Sequence, residues 1–506
     1  MRKVLGKWGL LALALSCCMS FNGSLFATQV GKSKVDTSKK VEIRWIYVGS
    51  GQETDAELVE KAINEYIEEH TELNCTVKLM CYEWGKYANK IEEFLKSGED
   101  VDICFTSSWI NDYYSHSDAF WNLDEALPTY APKTKALLGE DFLKGAKING
   151  KLYAIPCNKE KALQYGLLVR EDLVKKYNMD LSQVKSLKDM EPFFATIKKN
   201  EPYIDAFDFD YRYNNILLRL SPYEFILNGL YPGAVKKNIA DYKAVNQFTT
   251  DEAIALYRLM HEYYLKGYLR DFDLDNDYLY GGPNLEKGHF FAAIWGFSPG
   301  TTQQLEAIYG DKYISVPLMK PYMETGTCVG SMMAISKTSK NPERALMLLE
   351  QVNTDPALNN LINYGIEGLH YEVINEVGNT KIISGLENQS AYNPGIGWIF
   401  GNQMLNYLYI NQAPNLWTLT ESFNNEAEKS LILGFHFEDD NIREELAQCS
   451  EVYSEYVTEL ILGRVDPDTY VPLMKKAFKE AGEDKVLAEM QRQIDDWQYL
   501  VASIKH

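Results

Sequence analysis

The chain has 506 residues, too many for one compact core; two large lobes or about three domains fit this length. With 46% hydrophobic and 24% charged residues it has the balance of a soluble globular protein, which argues against a disordered chain, a collagen-like repeat and a polytopic membrane protein. Lys and Arg total 51 against 71 Asp and Glu, and a net charge of -20 lacks the basic footprint of a nucleic-acid binder and would be repelled by an anionic membrane surface.

At the N-terminus Arg2, Lys3 and Lys7 precede an apolar run from Trp8 to Met19. The run is about 12 residues long, short of the roughly 20 that span a bilayer as a helix. A basic start before a short apolar run reads as a secretory signal over residues 1–27. Two cut sites compete: after Ala27, or before Cys17, where Ala14-Leu15-Ser16-Cys17 is an imperfect version of a lipid-attachment sequence. Residues 28–40 are polar and Lys-rich and read as a flexible tether.

Val41 to Val48 reads as a strand, broken by Gly49-Ser50-Gly51. Thr54 with Glu57 forms a capping-box pattern ahead of a helix with Leu58, Val59, Ala62, Ile63, Tyr66 and Ile67 on one face. Strand Cys75 to Cys81, helix Glu83 to Lys96 and strand Val101 to Phe105 follow. This alternation predicts an α/β lobe with a parallel, doubly wound sheet, whose ligands sit beyond the carboxyl ends of the strands. That rule selects the loops Tyr47 to Gln52, Tyr82 to Gly85 and Ser107 to Tyr113. From about 156 to 290 the pattern is mostly helical apart from strand Leu163 to Val169. Strand-like segments return at Phe290 to Trp295, Tyr313 to Val316 and Cys328 to Ile335. Long helices dominate after Asn341, clearest at Ile442 to Leu462 and Asp466 to Ala481.

No phosphate-binding glycine loop, nucleophile elbow or His-Glu-x-x-His sequence is present. Asp271, Asp273, Asp275 and Asp277 alternate, but Asn276 and Gly282 stand where a calcium loop needs Gly and Glu, so the stretch reads as a solvated acidic loop and no metal is expected. The eight cysteines are irregularly spaced, without Cys-x-x-Cys, and read as buried thiols. Cys75 and Cys81 share one strand face about 20 Å apart, too far to pair within that strand.

Asn149-Gly150-Lys151-Leu152-Tyr153-Ala154-Ile155-Pro156 resembles a signature of the bacterial extracellular solute-binding proteins, family 1. Glu286 to Gly296, Gly326 to Ser336 with Asn341-Pro342-Glu343-Arg344-Ala345, and Lys90 to Asp102 are similar to further stretches of that family, in order, across about residues 41–350. Asn363 to Tyr371, Gly397 to Gln403 and Gln491 to Trp497 resemble a lipoprotein-type subfamily, with Leu369 where a basic residue is frequent. The resemblance implies a two-lobed periplasmic-binding-protein-like fold, with doubly wound sheets joined by a multi-strand hinge, a helical C-terminal region and solute in the cleft. The boundaries expected from it are a first lobe at 41–155, a second at 156–290, a return to the first at 291–335, and the rest of the second lobe with the helical region at 336–506. It implies no enzyme and no cofactor, but the binding component of an ABC importer, a monomer partnered by permease subunits and touching the membrane only through a lipid anchor at Cys17.

Site candidates follow from the strand ends and these motifs. Tyr47 ends the first strand, with Trp45 assigned to the core. Glu83 and Trp84 follow the second, where a carboxylate beside an indole suits a polyol; the alternative is a helix-start acid. Ser107, Ser108 and Trp109 end the third. Asn158, Lys159 and Glu160 follow the first crossover or form a solvated turn. Trp295 ends a returning strand. Tyr364, Glu367 and His370 either brace the turn at Gly365 and Gly368 or point at solute, and Trp398 and Asn402 share that ambiguity. A sugar or oligosaccharide is the expected solute. A peptide or amino acid, a secreted glycoside-active enzyme, and a sensor subunit are the alternatives.

Overall fold

Strand Val41–Gly49 buries Ile43, Trp45, Ile46, Tyr47 and Val48 because it has neighbours on both edges. Cys75–Glu83 runs parallel to it over its whole length, and Ile103–Thr106 runs parallel on the other side. Met332–Ile335 then enters antiparallel to Ile103–Thr106 and pairs antiparallel with Ala154–Pro156, which closes a five-stranded sheet. Helices Ala56–His70 and Trp84–Ser97 are the crossovers, packing Val59, Ile63 and Ile67, and Tyr87, Ile91 and Phe94, onto the sheet. The computed structural model describes residues 35–98, 100–110, 113–209, 216–270, 288–378 and 380–504. The signal, both cut sites, Cys17, residues 28–34 of the expected tether and the acidic loop at 271–277 lie outside them.

The second sheet runs Tyr313–Pro317, Gln164–Arg170, Phe290–Phe297, Asp205–Asp208. Gln164–Arg170 is antiparallel to both neighbours, and only Asp205–Asp208 lies parallel to Phe290–Phe297. Both sheets are therefore mixed. The parallel reading holds for the edge of the first sheet built by consecutive strand–helix units, and strands arriving from elsewhere enter reversed. Two large cores result, one around each sheet, in a two-lobed α/β fold.

The chain divides between the lobes differently from the expected boundaries. Phe290–Phe297 and Tyr313–Pro317 pair with Gln164–Arg170, so of the expected return at 291–335 only the stretch ending in Met332–Ile335 joins the first sheet. Helices Pro342–Thr354 and Pro356–Tyr364 bury Leu346, Leu349, Val352, Leu358 and Ile362 in the first core, as do Ile396, Ile399 and Phe400. The second core takes the chain back from Ile432, with Leu433 still in the first core, and holds it as far as Ile494, through helices Arg443–Val452, Pro467–Glu480 and Glu483–Ile504. The helix expected over Ile442 to Leu462 is interrupted by a wider turn at Tyr453–Val457.

Three crossings join the lobes, near 157–163, 318–331 and 427–435. Leu163 bridges antiparallel to Tyr322, and Tyr322–Met323 runs parallel to Glu428–Lys429. This narrow ribbon is the hinge.

Three local expectations are corrected. The capping box at Thr54 and Glu57 is not formed. The helix starts after Asp55, whose carboxylate lies 3.2 Å from His370 Nε2 while Nδ1 of that imidazole accepts from Ile366 N–H at 2.9 Å. With Nδ1 accepting, Nε2 carries the proton and donates to Asp55. Residues 36–40, expected in the tether, are held: the buried Arg344 guanidinium donates to the carbonyls of Asp36, Lys39, Leu73 and Asn74, and Asn74 Nδ2 donates to Thr37 O at 2.8 Å. After Asn341 the chain also forms a hairpin, Tyr371–Val377 with Thr380–Gly385.

Cys75, Cys81, Cys104, Cys157, Cys328 and Cys449 are all free thiols, and burial pushes Cys75 and Cys81 up to about 11.

Phe400 meets Trp45 and Tyr47 edge-on, at 5.6 and 4.9 Å between ring centres. Phe400→Ala is expected to cost about 3–5 kcal/mol in urea unfolding, whereas Leu58→Ala, on the exposed side of the first helix, changes stability by no more than about 0.5 kcal/mol.

Candidate ligand-binding cleft

Trp84 opens the helix after the second strand, and Trp109 lies in the turn after the third. Trp398 comes from the segment that covers the same strand ends, nearly 300 residues away in sequence. Their rings meet. Trp84 stacks on Trp398 at 6.0 Å and 15° and on Trp109 at 6.1 Å and 23°, and Trp109 lies 6.3 Å from Trp398. Phe105 supports Trp109 and Trp398 edge-on from below, at 6.3 and 6.1 Å. Trp84 and Trp109 remain 40% and 54% exposed while Trp398 packs partly buried against the first core, so the patch is an aromatic surface open to solvent on one side.

The turn that presents Trp109 is fixed from within. Ser107 is buried; its Oγ accepts from the N–H groups of Trp109 and Ile110 at 3.4 and 3.2 Å. Trp109 Nε1 donates to Gly330 O at 2.7 Å, and Ser108 N–H to Val329 O at 3.1 Å. Both acceptors are on the second crossing, so the patch is tied to the hinge.

Beside Trp109 lies a cleft of about 460 Å³ between the lobes. The first lobe lines it with Ser108, Trp109 and Tyr114, the second crossing with Glu324, Thr325, Gly326 and Val329, and the second lobe with Arg219, Glu224 to Asn228 and Phe435 to Phe437. A larger hollow of about 570 Å³ lies against helix Asp251–Leu265, lined largely by leucines such as Leu217, Leu218, Leu256 and Leu259. It holds none of the sequence candidates.

The polar side of the cleft is built on the second lobe and the hinge. Arg219 lies 3.4 Å from Glu324 and over the Phe225 ring at 5.2 Å. Glu224, buried behind them, accepts from Tyr322 O–H at 2.7 Å and from Ser430 O–H at 2.8 Å. Burial first, then the nearby Glu324 charge, raises the Glu224 carboxyl to about 7. Lys237 lies 5.1 Å over the Tyr322 ring, donates to the carbonyls of Arg219 and Ser221, and is lowered by burial.

The other candidates fall elsewhere. Tyr47 is 4% exposed beneath Phe400, because the segment Ile396 to Phe400 covers the end of its strand; it is a core residue, as is Trp45. Glu83 pairs with Lys86 at 2.8 Å at the helix start. Trp295 sits opposite Gly166 in the second sheet and packs on a separate cluster with Leu168, Phe290, Ala293 and Phe297. Tyr364 donates to Tyr407 O at 2.8 Å and stacks on the Tyr407 ring, Glu367 lies 3.7 Å from Lys381, and His370 is fully buried, all within the structure around the hairpin. Asn158 and Asn402 are buried and bonded to each other at 2.8 Å, and Lys159 pairs with Glu160. Sequence reasoning missed Arg219, Glu224, Glu324 and His436. The one available signal was an acid flanked by aromatics, Tyr223-Glu224-Phe225, in a stretch that reads as mostly helical.

A family model described as bacterial extracellular solute-binding protein matches residues 49–356. The chain belongs to this family. A second model, a domain of unknown function (DUF3502), matches residues 431–499. This solute-binding protein is 27% identical over 494 residues to a carbohydrate ABC transporter substrate-binding protein of Streptococcus pneumoniae serotype 4, covering 96% of each chain. Its fold matches the crystal structure of the N-glycan transport solute binding protein (NgtS) of Streptococcus pneumoniae at a TM-score of 0.76 and 24% identity, over 90% of this chain and 98% of that one. The same neighbour in complex with Man1GlcNAc matches at 0.65, over 90% of this chain and 99% of that one, and with Man5GlcNAc at 0.60, over 90% and 98%, both again at 24% identity.

The Glu224 carboxyl gives a pH test. Its folded value of about 7 exceeds the ordinary value of 4.5 for a glutamate, so the folded state holds the proton more tightly. That contribution is complete below about pH 4.5 and is lost as pH rises through about 7. The melting temperature of Glu224→Gln minus that of the wild type is expected to rise from pH 5 to pH 8; a flat difference contradicts the shift.

Proposed function

We propose that this protein is the exported substrate-binding component of an ABC importer and that it holds an oligosaccharide between its lobes. The observation that carries the reading is the patch of Trp84, Trp109 and Trp398 beside a cleft whose far wall is polar. The C–H faces of sugar rings lie on indoles, while their hydroxyls need both donors and acceptors. Arg219 offers the first, and Glu324 and the Asn228 carboxamide offer acceptors. The names of the pneumococcal relative and of the glycan-bound neighbour support the same solute class.

The protein binds and releases, without chemistry on the solute. Ligand favours the closed form only if it contacts both lobes, and a solute between the tryptophans and Arg219 does so. The neighbour's structures differ from one another in their fit to this chain at equal identity, which supports lobes that change their relative position. The basic start and short apolar run support export, with either lipid attachment at Cys17 or cleavage after Ala27. The mature protein acts as a monomer that presents its closed form to permease subunits.

Thermal unfolding of residues 28–506 with a panel of oligosaccharides, peptides and amino acids tests this. An oligosaccharide at one hundred times its Kd is expected to add about 2.7 kcal/mol. Stabilisation by peptides or amino acids alone sinks the carbohydrate reading, and slow consumption of the sugar sinks the binding role. Trp109→Ala and Trp398→Ala are each expected to weaken binding about tenfold by calorimetry, about 1.4 kcal/mol; unchanged affinity in both removes the patch from the site.

A further inference from the structure

The segment that matches a domain of unknown function begins at residue 431, inside the third crossing. Its first residues alternate. Ile432, Phe435 and Phe437 are buried in the second core, while His436, between two of them, is exposed. The backbone two residues before it is held close to the first lobe. Gly434, at φ +88°, passes so close to the Lys144 carbonyl of the first lobe that a Cβ would lie 2.6 Å from the oxygen, and its N–H donates to Thr325 Oγ1 at 2.9 Å. The His436 ring then stacks on Tyr114 of the first lobe, 3.6 Å between centres and 9° from parallel. Both rings line the cleft that Trp109 also lines.

We infer that residues 432–437 of this segment are a ligand-selecting wall of the cleft, with His436 the residue that touches solute opposite the tryptophan patch. The inference rests on the carbohydrate reading and extends it: the segment is an integral side of the site, and its helices, from Arg443 to Ile504, anchor that side in the second core. The imidazole, stacked on Tyr114 by one face, gives a saccharide a flat aromatic surface. Its place against Tyr114, between the lobes, makes it part of what a solute meets on closure, so its removal changes which chain lengths fit best.

The test is calorimetric titration of the full mature chain with Man1GlcNAc and Man5GlcNAc. It compares the wild type, His436→Ala, Tyr114→Ala and, as a control in the same segment but outside the cleft, the exposed Tyr499→Ala. Expected are a loss of about tenfold or more in His436→Ala for the glycan the wild type binds, a changed ratio of affinities for the two glycans, and wild-type binding by Tyr499→Ala. The melting temperature of ligand-free His436→Ala is expected to stay near that of the wild type, because the side chain is exposed. Tyr114→Ala should weaken binding in the same direction. Affinities of His436→Ala within twofold of the wild type for both glycans overturn the inference while leaving the carbohydrate reading intact. A wild type that binds no saccharide overturns the reading itself, an outcome visible without any variant.

Discussion

The two cores of this protein are joined by three narrow crossings and by no continuous sheet among the described residues. They touch through few backbone pairs, Leu163 with Tyr322 and Tyr322–Met323 with Glu428–Lys429, and so bend more easily than a sheet. Their registration comes from side chains. The Glu224 carboxylate gathers hydroxyls from the second and third crossings, Thr325 Oγ1 accepts from Gly434, and Thr327 Oγ1 donates to the Lys161 carbonyl on the first at 2.9 Å. Each bond joins one crossing to another or to a lobe. Buried polar contacts of this kind are costly to break singly, and they hold a unique arrangement that apolar packing alone would leave loose. The same carboxylate lines the cleft, so the group that registers the hinge is also within reach of what the cleft contains.

The tryptophan patch has a comparable support on the first lobe, made of carboxamides. Asn402 accepts from Asn158 and donates to Asn353 O. Asn359 donates to the carbonyls of Val352 and Phe400, and Asn360 donates to Leu405 O while accepting from Tyr407 N–H. These bonds fasten the irregular segment around Trp398 to helices Pro342–Thr354 and Pro356–Tyr364. A loop without regular structure needs such partners for its buried backbone groups. Trp398 therefore stands where Trp84 and Trp109 can stack on it, and the Asn-rich helix Pro356–Tyr364 is explained by what it holds rather than by helix propensity.

The sequence was most legible where structure is local. The strand–helix alternation from Val41 to Thr106 was readable because period and breaker residues act within a few positions, and the rule of strand ends then reached Trp84, Ser108 and Trp109. Motif resemblance brought in Trp398. What stayed hidden depended on pairing at long range. Nothing near Tyr47 reveals that Phe400 covers it, and nothing near Trp295 says which sheet its strand joins. Arg219 and Glu224 sit on elements of three residues, too short for any period to show. His436 is visible only once the third crossing is seen to run past Tyr114.

Neither lobe is continuous in the chain, and this has a consequence for its birth. The first core lacks Phe400 and its neighbours until four-fifths of the polypeptide exists, and the second lacks its closing helices until Ile494. A chain emerging N-terminus first has no finished unit to lock into at intermediate lengths, although domains normally complete in order of synthesis. The six described cysteines are free thiols, so no disulfide among them has to form before both lobes close once the last helix arrives.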